Sequence, residues 1–128
     1  MEINIPADLL YTREHEWVAM ESDDVAVIGI TDYAQDQLED IVFIELPEVG
    51  SEVKANDAFG TIEAVKAVED FFAPVSGEVV DANNKLEDNP ELCNQDPYSE
   101  GWIAKIKISD KTELDSLISA EEYRTLIQ

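Results

Sequence analysis

Histidine, cysteine and positive charge are all scarce in this chain of 128 residues, and each scarcity removes a class of function. His15 is the one histidine and Cys93 the one cysteine. No histidine pair for zinc and no intrachain disulfide can be built from them, and His15-Glu16 lacks the second histidine of a zinc-protease helix. Lysine and arginine number 8 against 30 acidic residues, a formal net charge of −22. Such a chain repels phosphate backbones and anionic lipid, so nucleic acid and membrane surfaces are poor partners for it. No apolar run approaches the ~18 residues of a transmembrane helix. The opening Met1-Glu-Ile-Asn-Ile-Pro6 is neither a basic-then-apolar leader nor an Arg-rich transit peptide. A cytoplasmic bacterial protein is the simplest reading, ahead of a mature mitochondrial chain. Nucleotide-binding glycine loops and the nucleophile elbow are missing too, and among 30 acids the closeness of two carboxylates in sequence carries no information. The expectation is a protein that is not itself an enzyme.

What is present is enough to fold. A hydrophobic content of 45% in 128 residues suits one domain with a core. Trp17–Glu21 and Val25–Ile30 read as strands joined at Ser22-Asp23-Asp24, and Thr31 is placed to cap a short helix over Asp32–Leu38. Ile41–Leu46, Phe59–Glu63, Phe71–Val75, Glu78–Asp81 and the stretch of Ile103, Ile106 and Ile108 are strand-like. Ala82–Pro97 is rich in Asn, Asp and Pro and reads as a loop with a helical turn near Asn84–Glu87. Beyond Ser109 the spacing becomes helical: Leu114, Leu117 and Ile118 share one face, and Ser119-Ala-Glu-Glu122 is a capping-box signature ahead of Tyr123, Leu126 and Ile127. The layout is a mainly β body over about 11–108 with C-terminal helices over about 111–128. Cys93 reads as a small packed residue, and His15 as a structural one hydrogen-bonded near Trp17.

The residue with chemical promise is Lys66. It lies midway in Gly60-Thr-Ile-Glu-Ala-Val-Lys-Ala-Val-Glu-Asp-Phe-Phe-Ala-Pro-Val-Ser-Gly77, between two apolar arms. Propensity leaves the stretch between the arms open, as a hairpin turn or a short helix, since Ala64, Lys66, Ala67 and Glu69 all favour helix and no Asn-Gly or Asp-Gly marks a tight turn. A weak internal repeat favours the hairpin. Pro47-Glu-Val-Gly50-Ser-Glu-Val53 returns as Pro74-Val-Ser-Gly77-Glu-Val-Val80, with Lys66 between the copies. Two similar β-units suggest a two-fold sandwich whose connecting hairpin displays the lysine, with small Ala64 and Ala67 leaving room around it.

At these residues the chain resembles the H protein of the glycine cleavage system. The resemblance is carried by Tyr11-Thr-Arg-Glu-His-Glu-Trp17, Ile28-Gly-Ile-Thr-Asp-Tyr-Ala-Gln35, Asp40-Ile-Val-Phe-Ile-Glu-Leu-Pro-Glu-Val-Gly50, Glu63-Ala-Val-Lys-Ala67, Ala73-Pro-Val-Ser-Gly-Glu-Val-Val80 and Asn94-Gln-Asp-Pro-Tyr-Ser-Glu-Gly-Trp102, all in the family's order. It implies a lipoyl/biotinyl-type barrel-sandwich hybrid with peripheral and C-terminal helices, as one lipoyl-carrier domain over 1–128. It implies lipoic acid joined to Lys66 through an amide. The carrier would take the aminomethyl group of glycine from the pyridoxal-phosphate glycine decarboxylase (P protein) to the tetrahydrofolate-dependent aminomethyltransferase (T protein), and would be reoxidised by dihydrolipoamide dehydrogenase (L protein). A lipoate ligase or octanoyltransferase would load it, and a monomer suffices.

Glu16 and Asp70 are the residues the resemblance suggests for a cleft that shelters the loaded arm, because a carboxylate suits an ammonium-bearing cargo; Glu63 is suggested for recognition by the lipoylating enzyme. The departures are Ala64 and Glu69 where serine is common and Ser99 where glycine is, the last of consequence if that position needs φ > 0. Rival readings are a lipoyl or biotinyl domain of another complex, an H-like protein in lipoate relay, and an acidic interaction module whose lysine is never modified.

Overall fold

The computed structural model describes residues 3–128; of the opening hexapeptide, Met1 and Glu2 lie outside them. The strands are β1 (Leu10–Tyr11), β2 (Glu16–Met20), β3 (Val25–Ile30), β4 (Ile41–Glu45), β5 (Glu52–Val53), β6 (Ala58–Ala64), β7 (Val68–Phe72), β8 (Gly77–Ala82) and β9 (Ala104–Ile108). They form one sheet in the order β1-β2-β3-β9-β8-β5 and a second in the order β4-β6-β7. Helices α1 (Asp32–Leu38), α2 (Lys85–Asp88), α3 (Leu92–Gln95) and α4 (Ala120–Leu126) lie at the periphery. The arrangement is that of the lipoyl-type barrel-sandwich hybrid.

Alternation along the strands sends one face of each sheet inward. Ala26, Ile28 and Ile30 of β3 join Ile44, Ile62 and Phe71 of the smaller sheet in one buried cluster. Each fully buried aliphatic side chain there contributes roughly 1.5–3 kcal/mol. A second cluster gathers Tyr11, Trp17, Ile118 and Tyr123. Trp17 lies across β2–β3 from Gly29, where a Cβ would come within 2.7 Å of the indole, so glycine makes room for the tryptophan.

The internal repeat has a structural meaning: its two copies pair with each other. β5 and β8 run antiparallel with Val53 opposite Gly77, and Gly50 and Val79 are tied by the bonds Gly50 N–H to Val79 C=O (2.8 Å) and Val79 N–H to Ser51 C=O (2.9 Å). A Cβ on Gly77 would collide with the Lys107 carbonyl, so the second copy needs its glycine for close approach of β9.

Several sequence expectations are corrected. The strand expected at Phe71–Val75 runs instead over Val68–Phe72, because pairing with β6 extends it toward the turn and Pro74 has no N–H for a ladder. The helical face of Leu114, Leu117 and Ile118 does not form. A 3-10 turn covers Lys111–Ser116, and Ile118 leaves it to bridge Tyr11 with reciprocal bonds of 2.8 and 2.9 Å. The Ala82–Pro97 loop holds a second helical turn, α3, besides the one expected near Asn84. Ser99 is not at positive φ, so its replacement of a glycine carries no backbone strain.

Candidate functional site

Lys66 stands at the tip of the β6–β7 hairpin, and the short-helix alternative is not adopted. Glu63 pairs with Val68, Ala64 N–H donates to Ala67 C=O (2.8 Å), and Val65 and Lys66 form the tip. The tip is also fixed from outside, since Val65 N–H donates to Asp40 C=O (3.0 Å) in the link between α1 and β4. Buried Ala64 roots the turn while Lys66 remains exposed. The lysine is thus an exposed side chain on a braced support.

Beneath the tip lies a cavity of about 420 Å³. Its walls come from the start of β2 (Glu14, His15, Glu16), Ile30, the α1 residues Tyr33, Ala34, Gln37 and Leu38, and the hairpin residues Ile62, Lys66, Ala67 and Glu69–Phe72. Apolar side chains make the interior, and four carboxylates share the cavity with one lysine. The structure therefore brings together Lys66, Glu16 and Asp70, and leaves Glu63 outside. Glu63 lies in an exposed cross-strand row between Phe43 and Val68.

Glu16 is unusual among the acids in being 2% exposed. Thr12 Oγ1 lies 2.5 Å from its Oε1, and Phe72 N–H donates to Oε2 (3.3 Å). Burial pushes its pKa up to about 8, against which the Thr12 and Phe72 hydrogen bonds pull down and nearby Glu14 adds a further upward push. At neutral pH the group holds its proton in the absence of a cation. A cation entering the cleft would favour its ionisation.

His15 takes a positive φ of 70° and sets its Nδ1 2.8 Å from Tyr123 Oη, whose other partner at 2.7 Å is Thr31 Oγ1. Thr31 in turn caps α1 by accepting from Ala34 N–H (3.2 Å). The chain His15–Tyr123–Thr31 pins the helix that walls the cavity, so the expected structural histidine has Tyr123, a member of the Trp17 cluster, as its partner. Burial lowers the His15 pKa, with Glu14 opposing. Trp17 Nε1 donates to Pro97 C=O (2.9 Å). Cys93 is buried, its thiol pushed up to about 12 by desolvation, which makes it a packing residue.

Sequence reasoning passed over Glu39. This C-cap of α1 adopts φ 62° and ψ −138°, a region other residues than glycine enter at roughly 1–3 kcal/mol. Its backbone is held there by its N–H to Gln35 C=O (2.9 Å) and by Asn94 Nδ2 on its carbonyl (2.6 Å). Its carboxylate lies 2.6 Å from Lys66 Nζ. Nothing in Asp36-Gln-Leu-Glu39-Asp40 distinguishes it from neighbouring surface acids.

The Glycine cleavage H-protein family model matches residues 9–128. The glycine cleavage system H protein of Symbiobacterium thermophilum is 56% identical over 120 residues, covering 94% of this chain and 93% of that protein. That of Halothermothrix orenii is 51% identical over 126 residues, covering 98% of each. A crystal structure of the glycine cleavage system H protein from Mycobacterium marinum superposes with a TM-score of 0.87 at 37% identity, covering 94% of this chain and 97% of that one.

Proposed function

Since the chain belongs to the glycine cleavage H-protein family and so takes the lipoyl-carrier role in glycine cleavage, we propose that the lipoyl group is carried on Lys66 and that the cleft beneath shelters its cargo. The observation that carries this reading is the pairing of a braced, exposed lysine with a cavity it lines.

The residues present fit such a group. Ile30, Leu38, Ile62 and Phe71 offer apolar wall to a hydrocarbon chain and a dithiolane, and small Ala67 leaves space beside the lysine. When bound, the lipoyl group supplies the sulfur chemistry that takes up the aminomethyl unit of glycine and gives it up again. The protein supplies placement and environment. Glu14, Glu69 and Asp70 give the cleft a negative field suited to an ammonium-bearing cargo, and the apolar walls keep water from it. Glu16 is a carboxyl that releases its proton at Oε2 or Oε1 when a cation approaches and takes it back when the cation leaves. Glu69 lies opposite Ile62 in the hairpin register and both line the cavity, so Glu69 joins Asp70 as a cleft acid.

Four enzymes would then use the same hairpin: the decarboxylase, the aminomethyltransferase, the dihydrolipoamide dehydrogenase and a lipoate ligase or octanoyltransferase. The exposed row of Phe43, Glu63 and Val68 is the recognition surface we assign to the last of these. The chain itself has no catalytic role in this scheme, and a cytoplasmic setting suits the partners. No helix among the described residues is long and apolar enough to cross a membrane.

The test is incubation with lipoate ligase, ATP and lipoate, followed by intact mass and peptide mapping. One lipoyl adduct on Lys66 is expected, and Lys66→Arg is expected to fold normally, take no adduct and fail to support glycine–CO₂ exchange. An adduct elsewhere, or exchange by Lys66→Arg at the wild-type rate, would sink the assignment.

A further inference from the structure

We propose that Glu39 is a positioning residue for the loading of Lys66: its carboxylate holds the unloaded ammonium at the open rim of the hairpin, away from the carboxylates of the cleft. This rests on the reading that Lys66 is the lipoylation site.

Two independent observations converge on Glu39. The backbone is clamped by Gln35 and Asn94 in a conformation unfavourable to a side-chain-bearing residue, and the side chain it presents meets the one lysine that lines the cleft. Strain of this kind persists where surrounding contacts over-determine it. Glu39 is not among the cavity's lining residues, whereas Glu14, Glu16, Glu69 and Asp70 are. In the cleft, Glu14, Glu69 and Asp70 offer the unmodified lysine competing carboxylates, and an amine paired with them would sit inside the cavity instead of at its rim. At 2.6 Å, and with Lys66 and Glu39 side chains 53% and 66% exposed, the Glu39 carboxylate competes from the solvent side.

Loading abolishes the competition. In acylation by a lipoyl adenylate, the amide forms between Nζ and the carbonyl carbon as the bond from that carbon to the adenylate oxygen breaks. AMP leaves with the electron pair, and the two protons lost by the ammonium pass to solvent. The amide carries no charge, so Glu39 loses its partner and the side chain is released. The ion pair therefore belongs to the unloaded chain alone, and the Val65–Asp40 bond is left to brace the tip.

The experiment measures lipoylation by intact mass with lipoate ligase, ATP and lipoate, over a range of chain concentrations. Glu39→Gln is expected to lower kcat/KM for the chain about two- to five-fold, the range an exposed ion pair supports, with Glu39→Asp recovering part of the loss. Adding Glu69→Ser to Glu39→Gln is expected to restore the rate, since the cleft then attracts the amine less. Unmodified wild type and Glu39→Gln should differ in Tm, and the difference should vanish between their fully lipoylated forms. Equal kcat/KM in wild type and Glu39→Gln overturns the inference. A loss that Glu69→Ser leaves untouched overturns it too, because Glu39 would then be touching the ligase. Absence of any adduct on wild type overturns the carrier reading beneath it, a separate and visible failure.

Discussion

At the scale of the residue, one buried carboxyl gives the fold a pH-dependent contribution to stability. Glu16 holds its proton in the folded chain up to about pH 8, against 4.5 for the free side chain. Between those values the folded chain binds a proton that the unfolded chain has released. Its contribution is thus fully present below pH 4.5, falls as pH rises, and is lost above about 8, at up to about 1.4 kcal/mol for each pH decade. Glu16→Gln is close in size, keeps one oxygen to accept from Phe72 N–H, and has no proton to lose. Its urea-unfolding free energy should vary less between pH 5.5 and 8.5 than that of wild type, and should exceed it at 8.5. Parallel pH curves for the two proteins would contradict the assignment. Lys66 was legible at this scale, because a lysine between two apolar arms and two repeat copies is a pattern. Glu39 and the burial of Glu16 were not, since an acid in a chain with 30 acids declares neither its backbone angles nor its depth.

At the scale of the element, local signals and tertiary contacts can be told apart. The capping box of α4 was readable as Ser119-Ala-Glu-Glu122 and forms with both reciprocal bonds. Ser119→Ala should cost about 1 kcal/mol by chemical denaturation, without altering the hairpin. Gly29 is the opposite case. Its place in a β-favouring run conceals that Trp17 fills the space above it, and Gly29→Ala should destabilise by about 1–3 kcal/mol through overpacking, seen as a lower urea midpoint. A midpoint at the wild-type value would mean the indole can move aside. The Leu114–Ile118 segment illustrates the same divide. Its spacing is compatible with a helix, but Ile118 gains two backbone bonds to Tyr11 and a place in the Trp17 cluster, and those outweigh propensity.

At the scale of the whole molecule, charge dominates. A net charge of −22 on 128 residues repels itself in the compact state. Raising NaCl from about 10 to 300 mM shortens the Debye length from roughly 30 Å to under 8 Å, so Tm should rise with salt, whereas a flat or falling Tm would show that ion pairs outweigh the repulsion. Docking to a basic partner should respond in the other direction, with KM for the carrier increasing as salt increases and kcat little changed.

The sequence by itself determined the mainly β character, the caps of α1 and α4, the presence of the repeat and the place of Lys66 between its copies, because each arises from neighbours in the chain: alternation, capping residues, turn residues. Tertiary structure alone decided which acids meet. Glu14, Glu16, Glu69 and Asp70 reach one cavity, and Glu39 reaches Lys66, through sheet register and helix placement. Those are set by how distant apolar faces pack, and no spacing along the chain encodes the distance between two carboxylates on different strands.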